Sequence, residues 1–460
     1  MANWIPARPA LSHVDDYIYT VKGWIDKCQS HAFCPKVNRT RSKLPTRVIA
    51  VGPVDGSIQP YLYESGGRLG EWVTLSHCWG NAYPITLTMA NLGEHKAQML
   101  MESLPPLFQD AVTITRALGY QYLWVDSLCI IQDSENDWRF EAAKMGYIYK
   151  YSSLTIAAES SRNCRDGIFV SSNYGWPNLS KRLRLPCLNS NFHARGNIYP
   201  QLELDAPVLR DYLGSRAWTL QEEILSPRAM RWTTRGLKWQ CRTTNYTEDF
   251  PVREGPQHEN FQNPKRICLP RQDFVTQRSY HSAWKDDAST PRAIQNWYAI
   301  LRDFVRRDIT NHSDRLPALS GVAREIARLT GHHYVAGLWR EDLFAGLLWS
   351  TSGNAKRFEN AKEPSWSWAS IELGCFNGPP WTFMSHQHPV SMCATNVLGI
   401  NIQSVGEDPF GQVKTARLHL RGPCRYASEL RAWIRESGVD QEYGTLTHWH
   451  EALLGLCLRC

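Results

Sequence analysis

Short apolar runs that end abruptly in polar residues alternate along the first half of the chain with stretches whose apolar residues recur every three or four positions. Trp72-Val-Thr-Leu-Ser76 is a run of the first kind and reads as a strand buried on both faces. Leu107, Ala111, Ile114 and Leu118 then share one helical face, and Gly119 stops the helix. Tyr122 to Val125 predicts a second strand. Ser134, with Asp137 three residues on, resembles a capping box opening a helix whose stripe runs through Trp138, Ala142, Met145 and Tyr149. Ser153-Leu-Thr-Ile-Ala-Ala158 predicts a third strand. Alternation of this kind implies an α/β fold, an open and mostly parallel sheet with helices on both faces.

The flanks read differently. Residues 1–70 form an N-terminal segment containing Cys28-Gln-Ser-His31-Ala-Phe-Cys34 and the Pro-bounded Leu44-Pro-Thr-Arg-Val-Ile-Ala-Val-Gly52. Residues 71–244 hold the α/β alternation, an irregular stretch over 160–214, and a helix from Trp218 to Leu225 with Ser215 as its N-cap and Pro227 as its stop. Residues 245–290, rich in Arg, Gln, Asn and Pro, read as a linker or insertion. Residues 291–460 predict an α+β region rich in β structure, with helices from Ile294 and Ser313. Its Trp-rich, β-like stretches are Gly337-Leu-Trp-Arg, Leu347-Leu-Trp-Ser and Pro364-Ser-Trp-Ser-Trp-Ala-Ser370. No repeat or low-complexity tract interrupts this order.

A chain of 460 residues exceeds a single core, so two domains are expected. Nineteen Trp and nineteen Tyr call for large cores or aromatic-lined pockets. The net charge of +7 is spread over small groups such as Arg39/Arg41/Lys43 and Arg302/Arg306/Arg307, which argues against nucleic acid as a partner. No apolar run approaches the roughly 20 residues of a membrane span, and the N-terminus lacks a signal-peptide core. With thirteen scattered cysteines this points to reduced thiols and a cytoplasmic location, so the sequons at Asn38, Asn178, Asn245 and Asn311 are expected to carry no sugar. Cys28, His31 and Cys34 have the spacing of zinc ligands on one helical face. A closed zinc site wants a fourth ligand, and none lies nearby in sequence. The expectation is therefore a packing cluster of buried thiols and no metal site.

Ligands of open α/β sheets bind where strand ends run into loops. Asp126 ends the strand Leu-Trp-Val, so its carboxylate should emerge at that edge to bind a ribose hydroxyl, orient a histidine or cap the next loop. His77 and Cys78 suggest a base and a nucleophile, yet neighbours on a strand point to opposite faces, and a thiolate needs a cation or helix N-terminus beside it. Cys78 therefore reads as a small buried residue. On a helix, Trp218, Gln221, Glu222 and Leu225 share a face, which draws Glu222 inward and leaves Glu223 free to reach solvent. Glu222 can then serve as an acid, a base or a cation stabiliser, or pair structurally with Arg216 or Arg228. The chain contains neither a Gly-x-Gly-x-x-Gly nor a Walker-type loop, which argues against a conventional dehydrogenase or P-loop NTPase.

Three blocks, Trp72-Val-Thr-Leu-Ser-His-Cys-Trp-Gly80, Leu123-Trp-Val-Asp-Ser-Leu-Cys-Ile-Ile-Gln-Asp133 and Arg216-Ala-Trp-Thr-Leu-Gln-Glu-Glu-Ile-Leu-Ser-Pro-Arg228, closely resemble in order and spelling the heterokaryon-incompatibility (HET) domain of filamentous fungi. The resemblance spans Trp72 to Glu223 and extends weakly to Ser313-Asp-Arg-Leu-Pro-Ala and Pro364-Ser-Trp-Ser-Trp-Ala-Ser. It implies non-self recognition, with programmed cell death when genetically different cells fuse. Ser215-Arg-Ala-Trp-Thr-Leu-Gln-Glu222 is also similar, more distantly, to a helix of Toll/interleukin-1 receptor (TIR) domains. That likeness implies a TIR/flavodoxin-like sheet and an NAD hydrolase in which Glu222 is catalytic. His77, Cys78 and Asp126 are the other candidate catalytic residues, and Ser76, Trp79, Ser127 and Trp218 the candidate nucleotide contacts. NAD is then a substrate, and no tightly bound cofactor is expected. The chain departs from TIR domains at Thr219, often Cys there, and in the long 160–214 stretch. Two alternatives stay open: a non-enzymatic module that works by self-association or with a partner incompatibility protein, and a pocket enzyme using Cys78 and His77.

Overall fold

The computed structural model describes residues 14–36, 42–80, 85–169, 185–188, 194–198, 212–234, 236–247, 265, 292–347, 349–351, 356–359, 361–372, 381–382 and 396–422. Most of the polar 245–290 stretch and of the irregular 160–214 stretch lies outside them. By its contacts the chain divides into two units. The first comprises Met1–Glu141, Tyr147–Ser215 and Ser226–Lys265; the second comprises Ala142–Gly146, Arg216–Leu225 and Arg266–Cys460.

The first unit is built on one sheet of eight strands: β1 (Arg47–Ala50), β2 (Tyr61–Glu64), β3 (Val73–Ser76), β4 (Tyr122–Trp124), β5 (Leu154–Ala158), β6 (Arg228–Thr233), β7 (Gly236–Cys241) and β8 (Asn245–Thr247). Their order across the sheet is β8-β7-β6-β5-β3-β4-β1-β2. The pairs β6/β5, β5/β3 and β3/β4 are parallel, while β1/β4, β1/β2, β6/β7 and β7/β8 are antiparallel. The sheet is thus mixed, where a mostly parallel one was expected. On one flank the cause is local, since Thr233 pairs with Gly236 and a two-residue connection joins only antiparallel strands; on the other, β1 runs antiparallel to the distant β4. Every residue of β3 and β5 is buried, so both faces of the sheet's centre are covered, and the buried hydroxyls of Thr74 and Thr155 meet at 2.7 Å across the pair.

Helix α1 (Val14–Ser30) turns Ile18, Val21, Trp24, Ile25 and Cys28 inward, and Trp24 packs against Trp239 of β7 and Tyr246 of β8. Helix α2 (Pro106–Ala117) buries Leu107, Ala111 and Ile114 and ends before Gly119, whose φ of +86° lets the chain reverse. A one-turn α3 (Asp126–Cys129) follows β4. The predicted stripe from Trp138 to Tyr149 is divided between α4 (Glu135–Ala142) and α5 (Met145–Tyr151) rather than carried by one helix. Ser134 caps α4 as read, its Oγ accepting from Asp137 N at 3.3 Å. Trp72 Nε1 donates to Ile148 O and Tyr149 OH to Leu75 O, which fixes the start of the β3 block and its middle against α5.

The second unit contains α6 (Ala217–Leu225), α7 (Arg292–Phe304), α8 (Pro317–Thr330) and a hairpin of β9 (Asn396–Ser404) with β10 (Val413–Arg421). Ser215 does not cap α6; it closes a 3-10 turn, its Oγ donating to Tyr212 O. The free amide of Ala217 is satisfied instead by Asp308 O at 2.9 Å, a partner ninety-one positions away (308 − 217) that local sequence does not reveal. Of the Trp-rich stretches, Leu338–Trp339 is a short strand, whereas Trp368–Ser370 is a 3-10 turn. Their function is packing: Trp297 lies edge-on to Trp339 at 5.6 Å, and the indoles of Trp297 and Trp368 both donate to Gly337 O.

Candidate functional site

Within the parallel core of the first unit, β3, β4, β5 and β6 are first to fourth in chain order and lie in the spatial order second, first, third, fourth. The direction of the connections therefore reverses between β3 and β5, and the crevice beyond the carboxyl ends of such a pair is where open α/β sheets take ligands. His77, Cys78 and Trp79 leave the end of β3, Asp126 follows β4, and Glu159 follows β5.

Asp126 is the hub. Its Oδ2 accepts from Trp79 Nε1 at 2.8 Å, its Oδ1 accepts from Ser127 N at 2.8 Å, and His77 Nδ1 lies 3.7 Å from Oδ1. The carboxylate thus holds the Trp79 indole and the first amide after it, with the imidazole alongside. Its side chain is 23% exposed while that of His77 is 1% exposed, so Asp126 reaches solvent and the imidazole lies sealed behind it. The His77 ring also lies edge-on to Phe108 of α2 at 5.2 Å, which fixes its plane.

The lip of the crevice is drawn tight. Gly80 has φ +65°, and a Cβ there would stand 2.5 Å from Asn163 Cβ and 2.9 Å from Arg162 O, so the loops after β3 and β5 touch. The β5 loop is in turn tied to α2, since Leu107 N donates to Cys164 O and Ile168 N to Asp110 Oδ2. Burial raises the Asp110 carboxyl above its ordinary value.

The other predicted residues fall as follows. Cys78 is buried in an apolar cluster with Ala157 and Leu213. Ser76 is buried on β3, and Ser127 is fully buried with its carbonyl accepting from Leu87 N. Burial pushes the neighbouring Cys129 thiol up to about 12, so it stays protonated. Glu222 and Trp218 lie on α6, in the second unit. Glu222 is 6% exposed, drawn inward as the face pattern implied. Trp218 is half-buried and hydrogen-bonds Asp314 of the Ser313-Asp-Arg block, while Gln221 is sealed and takes Gly321 N at 2.6 Å. Glu223 does not run free into solvent; it meets Arg307, 3.4 Å away. Arg228, considered as a partner for Glu222, gives Nη1 to Ser153 O and Nη2 to Pro35 O.

Sequence reasoning passed over Glu159 and Arg231. Glu159 is buried just past β5 and pairs with Arg231 of β6, which also donates to Gln240 Oε1 at 2.8 Å. The signal was present, because Ala157-Ala-Glu-Ser-Ser161 is another apolar run ending abruptly in polar residues. In the second unit, a groove of about 500 Å³ is bounded by Arg357, Lys362, Trp366, Arg417 and His419.

The sequence profile of the family described as heterokaryon incompatibility protein (HET) matches residues 72–222. The chain carries a HET domain. The matched span begins one residue before β3, takes in β4, β5 and the Asp126 hub, and ends on Glu222. No curated protein and no solved structure shows significant similarity to the chain. The HET domain therefore runs across the boundary of the two contact units, since its last block, α6, groups with the second. No helix among the described residues is long and apolar enough to cross a membrane.

Proposed function

We propose that this protein acts in heterokaryon incompatibility through its HET domain, and that the domain does so as a hydrolase of the nicotinamide–ribose bond of NAD. The observation that carries the chemical part is the hub at the carboxyl ends of β3 and β4. There a partly open carboxylate is held by an indole N–H and a backbone amide with an imidazole behind it, beside the reversal in strand order. The order second, first, third, fourth is the one flavodoxin-like sheets use, with a nucleotide at that reversal. It supports the TIR-like reading without depending on the α6 likeness.

Cleavage breaks the bond between ribose C1′ and the nicotinamide nitrogen, and the leaving nicotinamide keeps the electron pair. Water adds to C1′ and releases a proton, giving ADP-ribose. Positive charge builds on the ribose at the transition state, and a carboxylate in a water-poor setting stabilises it. Glu222, nearly sealed from solvent, is assigned that role by its place four residues after Trp218. Trp79 and Asp126 are assigned nucleotide binding, the ring by stacking and the carboxylate by accepting from ribose hydroxyls. The two assignments stand on separate units and are tested separately.

The test is nicotinamide release from NAD by the full chain over a wide range of protein concentration. Glu222→Gln keeps size and hydrogen bonding but removes charge, and should lower kcat at least a hundredfold, a few kcal/mol of transition-state stabilisation. Trp79→Ala should act mainly on KM. No release at any concentration, with self-association unaffected by NAD, would move the protein to the non-enzymatic signalling module.

A further inference from the structure

The sequence offered three residues of metal-ligating type, Cys28, His31 and Cys34, and no fourth nearby. Folding supplies it. Trp24 and Cys28 lie on one face of α1, four residues apart, and Trp239 and Cys241 lie on one face of β7, two residues apart. Packing Trp24 on Trp239, 6.2 Å between ring centroids, therefore brings Cys28 to Cys241. The turn after α1 then returns His31 and Cys34 to the same point. One ligand atom from each of Cys28, His31, Cys34 and Cys241 lies within 4.8 Å of all the others.

We propose that Cys28, His31, Cys34 and Cys241 form a structural zinc site of the Cys₃His type. A tetrahedral zinc with bonds of about 2.3 Å to sulfur and about 2.0–2.1 Å to nitrogen sets its ligand atoms about 3.6–3.8 Å apart. His31 Nδ1 stands 3.8 Å from Cys34 Sγ and 3.5 Å from Cys241 Sγ, already at that spacing and with the same ring nitrogen facing both sulfurs. The three sulfurs lie within 4.8 Å of one another, and all three cysteines are buried. Outer partners are in place as well. Thr244 N donates to Cys241 Sγ at 3.4 Å, and Thr243 Oγ1 lies 3.5 Å from Cys34 Sγ, the kind of contacts that orient thiolate ligands.

Charge favours the same reading. Zinc with three thiolates and a neutral imidazole carries one net negative charge. Arg228, 2% exposed, is close enough to act on Cys28, and its Nη2 holds Pro35 O, next to the ligand Cys34. Its hydrogen-bond partners among the described residues are carbonyls, which do not neutralise a buried guanidinium. An anionic metal cluster beside it does. The site would cross-link the end of α1 to the end of β7, fastening the N-terminal segment to the sheet.

The experiment measures zinc in the full chain, purified under reducing conditions without chelator, by elemental mass spectrometry. One equivalent per chain is expected, together with the visible and thiolate charge-transfer absorption of a tetrahedral, sulfur-rich site when Co²⁺ replaces zinc. Cys241→Ser should lose the metal, and Cys164→Ala, at a buried cysteine outside the cluster, should keep it. Should Cys241→Ser fail to fold, the wild-type chain still decides the matter. Chelation should lower its melting temperature and expose Cys28, Cys34 and Cys241 together to alkylation, and zinc alone should reverse both. A wild-type chain that carries no zinc and binds none when it is added, or one with a disulfide among these cysteines, overturns the proposal.

Discussion

Replacing Gly321 by alanine tests how closely α6, the helix that bears Glu222, is seated in the second unit. A glycine inside a helix ordinarily costs about 1 kcal/mol against alanine, so local propensity alone expects Gly321→Ala in α8 to stabilise. The tertiary setting reverses the sign. A Cβ on Gly321 would lie 2.6 Å from Gln221 Oε1, 2.6 Å from Gly146 Cα and 2.8 Å from Leu225 Cδ1. Gly146 Cα is backbone, and Gln221 is fully buried with its Oε1 bound to Gly321 N, so neither yields easily. Overpacking by one methyl costs about 1–3 kcal/mol, and spoiling a buried hydrogen bond about 1–3 more. Less the gain in propensity, the net loss is about 1–5 kcal/mol, or a fall of about 2–4 °C in melting temperature per kcal/mol for a unit of this size. Gly93 is the internal control: it is exposed in the helix Leu92–Ala97, and its added Cβ meets nothing within 4 Å. Gly93→Ala should gain up to about 1 kcal/mol by the same propensity argument. Thermal unfolding of both variants, followed by circular dichroism and tryptophan fluorescence, gives the answer. A Gly321→Ala protein as stable as wild type would refute the close seating of α6 against α8 and Gly146.

Burial lifts the Asp314 carboxyl from 3.8 to about 6, against the opposing hydrogen bonds from Trp218 and Ser313. The folded state then holds the proton more tightly than the unfolded one, so this contribution is complete below about pH 4 and is lost as pH rises through 6; Asp314→Asn should remove about 2–3 kcal/mol of that pH dependence, read by urea unfolding between pH 4 and 7. Gly80→Ala forces a left-handed residue and drives its Cβ into Asn163, so it should cost about 1–3 kcal/mol and speed proteolysis of the 159–169 loop. Equal cleavage rates in wild type and variant would show that the two loops do not brace each other.

The mostly apolar runs at residues 72–76, 122–125 and 153–158 determined the central strands, because a strand covered on both faces has no charged position to spare. The α2 stripe and its Gly119 stop were equally legible, since their period and punctuation are local. So was the HET spelling over Trp72 to Glu223, close to the span the family profile matches. The Asp126 hub was half legible: the position at a strand end came from sequence, but the Trp79 indole and His77 ring that hold it come from another strand. What only tertiary structure decided are pairings between distant segments. On one flank the sheet is mixed because Arg47–Ala50 pairs antiparallel with the distant Tyr122–Trp124, and α6 groups with the C-terminal unit through Asp308, Gly321 and Asp314. The fourth member of the Cys/His cluster is Cys241, 207 positions after Cys34 (241 − 34). Sequence spacing fixes which side chains share a face. Which faces meet is decided by the packing of whole elements, here by Trp24 on Trp239.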